Sequence, residues 1–185
     1  MARRDGIGGA REPEPDVVRR ARRGDPAAFE ELVRTHQGSV YRFVLRLVRD
    51  RQTAEDITQE AFIRAYRSLG SFRGRSTFST WVLRIARNAA VDAVRRSARQ
   101  RRLVERAADE RPVPDPTLRA ALGAAVDDLP PGLREAFVLI EVFGLSYREA
   151  AEVLGVFPGT LKSRMHRARR LLMAALDEGE LADEV

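Results

Sequence analysis

The chain has 185 residues, with 33 Lys and Arg against 27 Asp and Glu, a formal net charge of +6 and a pI near 10.7. It contains no cysteine, which excludes a disulfide framework, a thiolate nucleophile and a Cys-type zinc site. It has no apolar run of about eighteen residues and no N-terminal h-region, so neither membrane insertion nor a secretory signal is expected, and the expected location is the cytoplasm. Hydrophobic residues make up 44%, aromatic residues 6% and charged residues 32%, a mix that suits small helical cores with large solvated faces. A basic chain of this kind points to a polyanionic partner, usually nucleic acid. Lys162 is the only lysine, so an arginine-rich genome contributes to the charge; where the cations fall matters more than their sum.

Glycines, prolines and mixed charge over residues 1–15 predict a disordered leader. Asp25-Pro26 reads as an N-cap followed by proline at N1. Phe29, Leu32, Val33, Val40, Phe43, Val44, Leu47 and Val48 then recur at helical spacing, with Gly38 as a place where that helix eases. A second helix is expected from Thr53, with Thr53 and Asp56 resembling a capping box and Ala54, Ile57, Ala61, Phe62, Ala65 and Leu69 on one face. Gly70 and Gly74 break it. A third helix begins near Ser76, shows Phe78, Val82, Ile85 and Ala89 on one face, and continues into "VRRSARQRRLVERA". No segment sustains period-two alternation, so no strand is predicted. "DERPVPDPT" has three prolines and no periodicity, which marks a linker. Helices follow near Leu118–Leu129, from Pro131 to Gly144, from a Ser146–Glu149 capping box to Gly155, and from Pro158 to Leu176. The expected fold is all-α: a helical domain over 16–102, a linker over 103–117, a second helical domain over 118–176 and an acidic tail over 177–185 that frays.

The second domain has helix-turn-helix spacing. Ala150, Ala151, Leu154, Val156, Leu161, Met165, Ala168 and Leu172 are its apolar positions, and Gly155 permits the left-handed turn. From Pro158 to Leu172 there are five cations and no acid, whereas Asp127 to Glu152 holds six acids against Arg134 and Arg148. A solvated helix normally intersperses the signs. Thr160, Lys162, Ser163, Arg164 and Arg167 fall in the first turns of the last helix, where side chains reach base edges. The segregation favours DNA binding over passive packing. His166 has no nearby partner for metal and is expected to contact phosphate or solvent.

The first domain carries a different basic block. Residues 72–106 hold ten arginines against Asp92 and Glu105, and open with "SFRGRSTFSTW". Phe72, Phe78 and Trp81 interleave with Arg73 and Arg75, a composition suited to unstacked bases. Both Phe78 and Trp81 also fit core positions of a helix. Asn88, one turn from Arg84, carries an amide able to read a base edge or to be solvated. Glu55, Asp56, Gln59 and Glu60 form an acidic patch on the preceding helix. No histidine or second acidic helix completes a metal site there, and a docking surface for a basic partner fits better.

Together these motifs make the chain resemble the extracytoplasmic-function group of bacterial RNA polymerase sigma factors. "AEDITQEAFIRAYRSLGSFRGRSTFSTW" and its continuation to Arg96 are similar to region 2, and "LPPGLREAFVLIEVFGLSYREAAEVLG" with "GTLKSRMHRARRLL" to region 4. The resemblance spans residues 16–176 in order. It implies no enzyme, cofactor or metal, and a factor that binds core RNA polymerase, recognises the −35 and −10 promoter elements and promotes initiation. Its implied partners are the β′ clamp and β flap of that polymerase, promoter DNA and an anti-sigma factor. It places Asp56, Gln59 and Glu60 on the clamp. It places Phe72, Arg73, Arg75, Ser76, Thr77, Trp81, Arg84 and Asn88 on the melted −10 strand. Thr160, Lys162, Ser163, Arg164, Arg167 and Arg169 then read the −35 duplex. Fully extended, residues 103–117 reach roughly 50 Å at about 3.4 Å each, which spans duplex sites about one and a half turns apart at ~34 Å per turn. The family turn commonly reads Val-Pro-x-Gly before Thr; here it is Val156-Phe157-Pro158-Gly159, with the proline displaced by one position. The rival reading is a free-standing helix-turn-helix regulator, which leaves "SFRGRSTFSTW" and the acidic patch without a role.

Overall fold

A computed structural model of the chain describes residues 15–103 and 118–182, with side chains over 15–96 and 123–176. Among the described residues all regular structure is helical: α1 (Pro15–Arg22), α2 (Pro26–Val48), α3 (Arg51–Ser68), α4 (Phe78–Leu103), α5 (Leu118–Asp128), α6 (Pro131–Phe137), α7 (Tyr147–Leu154) and α8 (Pro158–Ala182). The expected leader and linker lie outside the described residues, except that Pro15 opens α1 and Leu103 closes α4.

Local chemistry sets the boundaries. The Asp25 carboxylate accepts from the backbone N–H of Ala27 and Ala28 at 3.0 and 3.2 Å, and Pro26 follows at N1. Helix α2 runs unbroken through Gly38 to Val48 and ends on Arg49, whose φ of 60° is left-handed. The expected Thr53–Asp56 capping box does not form. Asp50 caps α3 instead, accepting from the Thr53 N–H at 2.7 Å, because the helix begins two residues earlier at Arg51. Thr77 caps α4, its hydroxyl accepting from the Thr80 N–H at 3.1 Å. Helix α1 has no distinct sequence signal: at 8 residues it buries only Val17 and Ala21, too few for a periodic pattern.

Helices α1 to α4 pack around one centre, with α2 against α1, α3 and α4. Its fully buried side chains include Leu32, Val40, Phe43, Val44, Phe78, Val82 and Leu83. Alanines 54, 61 and 65 line the buried side of α3 and let it approach its neighbours closely. In the second half α8 packs on α5, α6 and α7 around Val138, Leu139, Leu161 and Met165. Between α6 and α7 the chain forms a π turn over Val138–Val142, in which the Phe143 N–H donates to the Val138 carbonyl at 3.0 Å. Helical periodicity alone gives no sign of such a bulge. The acidic segment expected to fray continues α8 as far as Ala182, since Ala174, Ala175 and Leu176 all favour helix.

The two halves touch. Helix α4 packs on α7, and Phe43 of α2 meets Phe143 edge-on at 5.8 Å between ring centroids. Arg87 of α4 grips the buried Glu135 of α6, its Nη2 and Nε at 3.0 and 3.3 Å from one carboxylate oxygen.

Candidate nucleic-acid and protein interfaces

The acidic residues of α3 stand opposite its alanine-lined face. Ala54, Ile57, Ala61, Phe62 and Ala65 turn inward, which leaves Asp56 and Gln59 exposed and Glu60 half-buried on one outer stripe. Arg64 donates to Glu60 at 2.7 Å, and that hydrogen bond holds the Glu60 carboxyl below its usual pKa. The Glu60 carboxylate therefore keeps its negative charge. Beside it lies an apolar groove of about 1130 Å³ between α2 and α3, lined by Phe29, Val33, Tyr41, Phe62, Ile63 and Tyr66 among others. Sequence patterning misses this groove. Its one signal is Ile63 and Tyr66, apolar residues that sit off the buried stripe and are exposed.

The loop between α3 and α4 is shaped by Gly74, whose φ of 66° is left-handed. Arg73 and Arg75 are exposed on it. Phe72 and Trp81 are not a free stacking platform in this arrangement. At 7% and 6% exposure they close an aromatic cluster with Phe78, with centroid separations of 5.2 to 6.1 Å. Three rings brought together by the loop bury more apolar area than any could alone. Thr77 is occupied as the cap of α4, and Ser76 is half-buried. Asn88 is exposed on α4, and one turn earlier Arg84 lies 3.8 Å from Glu152 of α7. A cleft of about 590 Å³ runs between α1, the 72–78 loop and α7, with Val18, Arg73, Arg75, Arg148 and Glu152 on its walls.

Helix α7 is held at its start by a reciprocal cap. The Glu149 carboxylate accepts from the Ser146 N–H at 2.8 Å, and the Ser146 hydroxyl meets the Glu149 N–H at 3.3 Å. Gly155, at φ 65°, turns the chain into α8. Leu161, Met165, Ala168 and Leu172 form the buried stripe of α8 at spacings of three and four. That stripe turns Thr160, Lys162, Ser163, His166 and Arg167 outward. Arg164 is half-buried, its guanidinium packed close to Gly132, where a Cβ would sit 3.6 Å away. Arg169 is exposed but tied to Glu141 at 2.7 Å, and that hydrogen bond raises its pKa further.

An all-helical pair of domains, one with a loop-led cationic helix and the other with a helix-turn-helix, is the architecture of a DNA-binding factor. Relatives make this particular. Residues 32–100 match the Sigma-70 region 2 family and residues 119–172 the Sigma-70 region 4 family. The chain is 44% identical over 162 residues to the ECF RNA polymerase sigma factor SigE of Mycolicibacterium smegmatis, covering 80% of this chain and 63% of that protein. It is 38% identical over 184 residues to the RNA polymerase sigma-H factor of Pseudomonas aeruginosa, covering 89% of this chain and 94% of that one. Among solved structures it resembles the sigma factor RpoE in complex with the anti-sigma factor NepR from Bartonella quintana. There the TM-score is 0.70 at 27% identity, over 80% of this chain and 96% of that one. CnrH in complex with the cytosolic domain of CnrY is similar at TM-score 0.68 and 28% identity, over 88% and 96%. The chain belongs to the extracytoplasmic-function group of RNA polymerase sigma factors.

Proposed function

We propose that this sigma factor works through three separate faces, in a domain spanning 16–102 and another spanning 118–176. Asp56, Gln59 and Glu60 dock on the β′ clamp of core RNA polymerase, and the second domain docks on the β flap. Arg73, Arg75, Ser76, Thr77, Arg84 and Asn88 meet the melted −10 strand, with Phe72 and Trp81 behind them. Thr160, Lys162, Ser163, Arg164, Arg167 and Arg169 serve the −35 duplex. The observation that carries this reading is the outer face of α8. It is cationic and free of acid from Pro158 to Leu172, while a continuous apolar stripe fixes which side faces outward. A base captured from the −10 strand offsets an unstacking cost of a few kcal/mol, which is how binding energy favours the open duplex.

Promoter engagement on this reading requires the domains to part. As they stand, α7 faces the 72–78 loop across a cleft, and Glu152 lies 3.8 Å from Arg84. An anti-sigma factor, such as those bound by the structural relatives, is the expected partner of the inactive state. The protein acts where the polymerase is, in the cytoplasm. The family is not known to be enzymatic, and no catalytic residue is assigned.

Run-off transcription with core polymerase over a genomic promoter library tests the whole reading. The protein is expected to direct initiation from promoters sharing two elements. Asp56→Ala with Glu60→Ala should remove polymerase binding while duplex binding remains. Asn88→Ala should alter −10 preference and leave −35 preference unchanged; an unchanged −10 preference would count against the role given to Asn88.

A further inference from the structure

Phe157 stands out on the molecule. It is 83% exposed, the most exposed of the large apolar side chains among the described residues. It sits in the turn between α7 and α8 and supplies the carbonyl that accepts the first helical bond, from the Leu161 N–H at 3.1 Å. It is thus the N-cap of α8, a position that favours Ser, Thr, Asp or Asn and gains nothing from phenyl. Pro158 follows it and holds Phe157 to extended backbone. Its neighbour Val156 packs on the core, so the phenyl is directed away from it. Nothing lies within 4 Å of a Cβ built on Gly159, so the space beside the helix start is open. In the first turns of α8 that follow the ring, Thr160, Lys162 and Ser163 are exposed, and no acid occurs from Pro158 to Leu172.

A helix presenting those side chains to duplex DNA puts its start at the base edges of the major groove. The apolar feature offered there is the 5-methyl group of thymine. We propose that Phe157 is a specificity-determining residue, packing its ring on the 5-methyl of a thymine at the edge of the −35 element. The displaced proline makes this contact possible, because Phe157 rather than proline then stands at the cap. The proposal rests on α8 being the −35 reader.

The experiment uses holoenzyme reconstituted from the full chain and core polymerase, on a promoter found by the run-off assay. Each thymine in and beside the −35 element is replaced in turn by deoxyuridine, which removes the methyl alone. One replacement is expected to weaken wild-type binding roughly fourfold, the worth of one buried methyl. Phe157→Ala should bind the thymine promoter at least that much more weakly and be insensitive to that same replacement, while Phe157→Leu keeps part of the response. Circular dichroism and melting of Phe157→Ala should match the wild type, since the side chain is 83% exposed. The proposal is overturned if no deoxyuridine position responds, or if the variant and the replacement act multiplicatively. If wild-type holoenzyme does not distinguish the −35 element from a scrambled one, the reading of α8 fails with it. If it does distinguish them and Phe157→Ala does so equally well with unchanged affinity, only the role of Phe157 fails.

Discussion

His36 is enclosed in the core of the first domain at 1% exposure, beside Phe78 with ring centroids 5.2 Å apart. Its Nδ1 lies 3.3 Å from the Ser79 hydroxyl, and its Nε2 is buried without a hydrogen-bond partner in the protein. A charged imidazolium here would lose its hydration, and burial lowers the pKa from 6.5 to about 4. Protons therefore bind the unfolded chain first as pH falls. The neutral histidine contributes its full stability above pH 6.5 and loses it as pH drops through about 4, a total of about 3 kcal/mol. That is a sizeable share of a domain's net stability. His36→Gln is expected to flatten the fall in melting temperature between pH 6.5 and 4 relative to wild type. Carboxylates titrate in the same range, so the difference between the two curves is the measurement, and parallel curves would show that His36 is not responsible.

Two helix ends make an opposed pair of tests. Arg49 ends α2 at φ 60° and Gly155 ends α7 at φ 65°. Left-handed backbone costs a residue with a Cβ roughly 1–2 kcal/mol, and glycine escapes that cost. Arg49→Gly should stabilise the protein by about 1 kcal/mol, helped by the loss of a cation that repels Arg134. Gly155→Ala should destabilise it by about 1 kcal/mol, from backbone strain alone, since nothing lies within 4 Å of the added Cβ. Thermal melts of the two variants should shift in opposite directions. Because Gly155 sets the turn ahead of α8, its variant should also weaken duplex binding.

At the scale of the molecule, the domains are joined by apolar packing and by one well-buried ion pair. Glu135 is 7% exposed, and Arg87 is half-buried over it. Removing one partner strands the other, a loss of roughly 2–3 kcal/mol at a contact that keeps some solvent. Glu135→Ala is expected to separate the domains, read as a larger radius of gyration in small-angle scattering and tighter binding of a single-stranded −10 oligonucleotide. An unchanged radius would mean that Phe143 on Phe43 and α4 on α7 hold the domains together without the ion pair.

Much of this protein is legible in its amino-acid sequence. Helix periodicity, the Asp25-Pro26 start, the Ser146–Glu149 box and the turn glycine are local signals, each complete within a few residues. Together they determine the all-helical fold, the helix-turn-helix and the family. Local signals mislead at the start of α3, which Asp50 rather than Thr53 caps, and in the acidic segment, where α8 runs on to Ala182. What the tertiary structure alone decides is which of many like residues are occupied. Arg87 meets Glu135 across 48 residues and Arg169 meets Glu141 across 28, while Phe72 and Trp81 close into the core. Identical arginine side chains recur along the chain, and only packing brings a carboxylate to some of them. The apolar groove beside α3 arises likewise from two helices meeting, and neither helix encodes it alone.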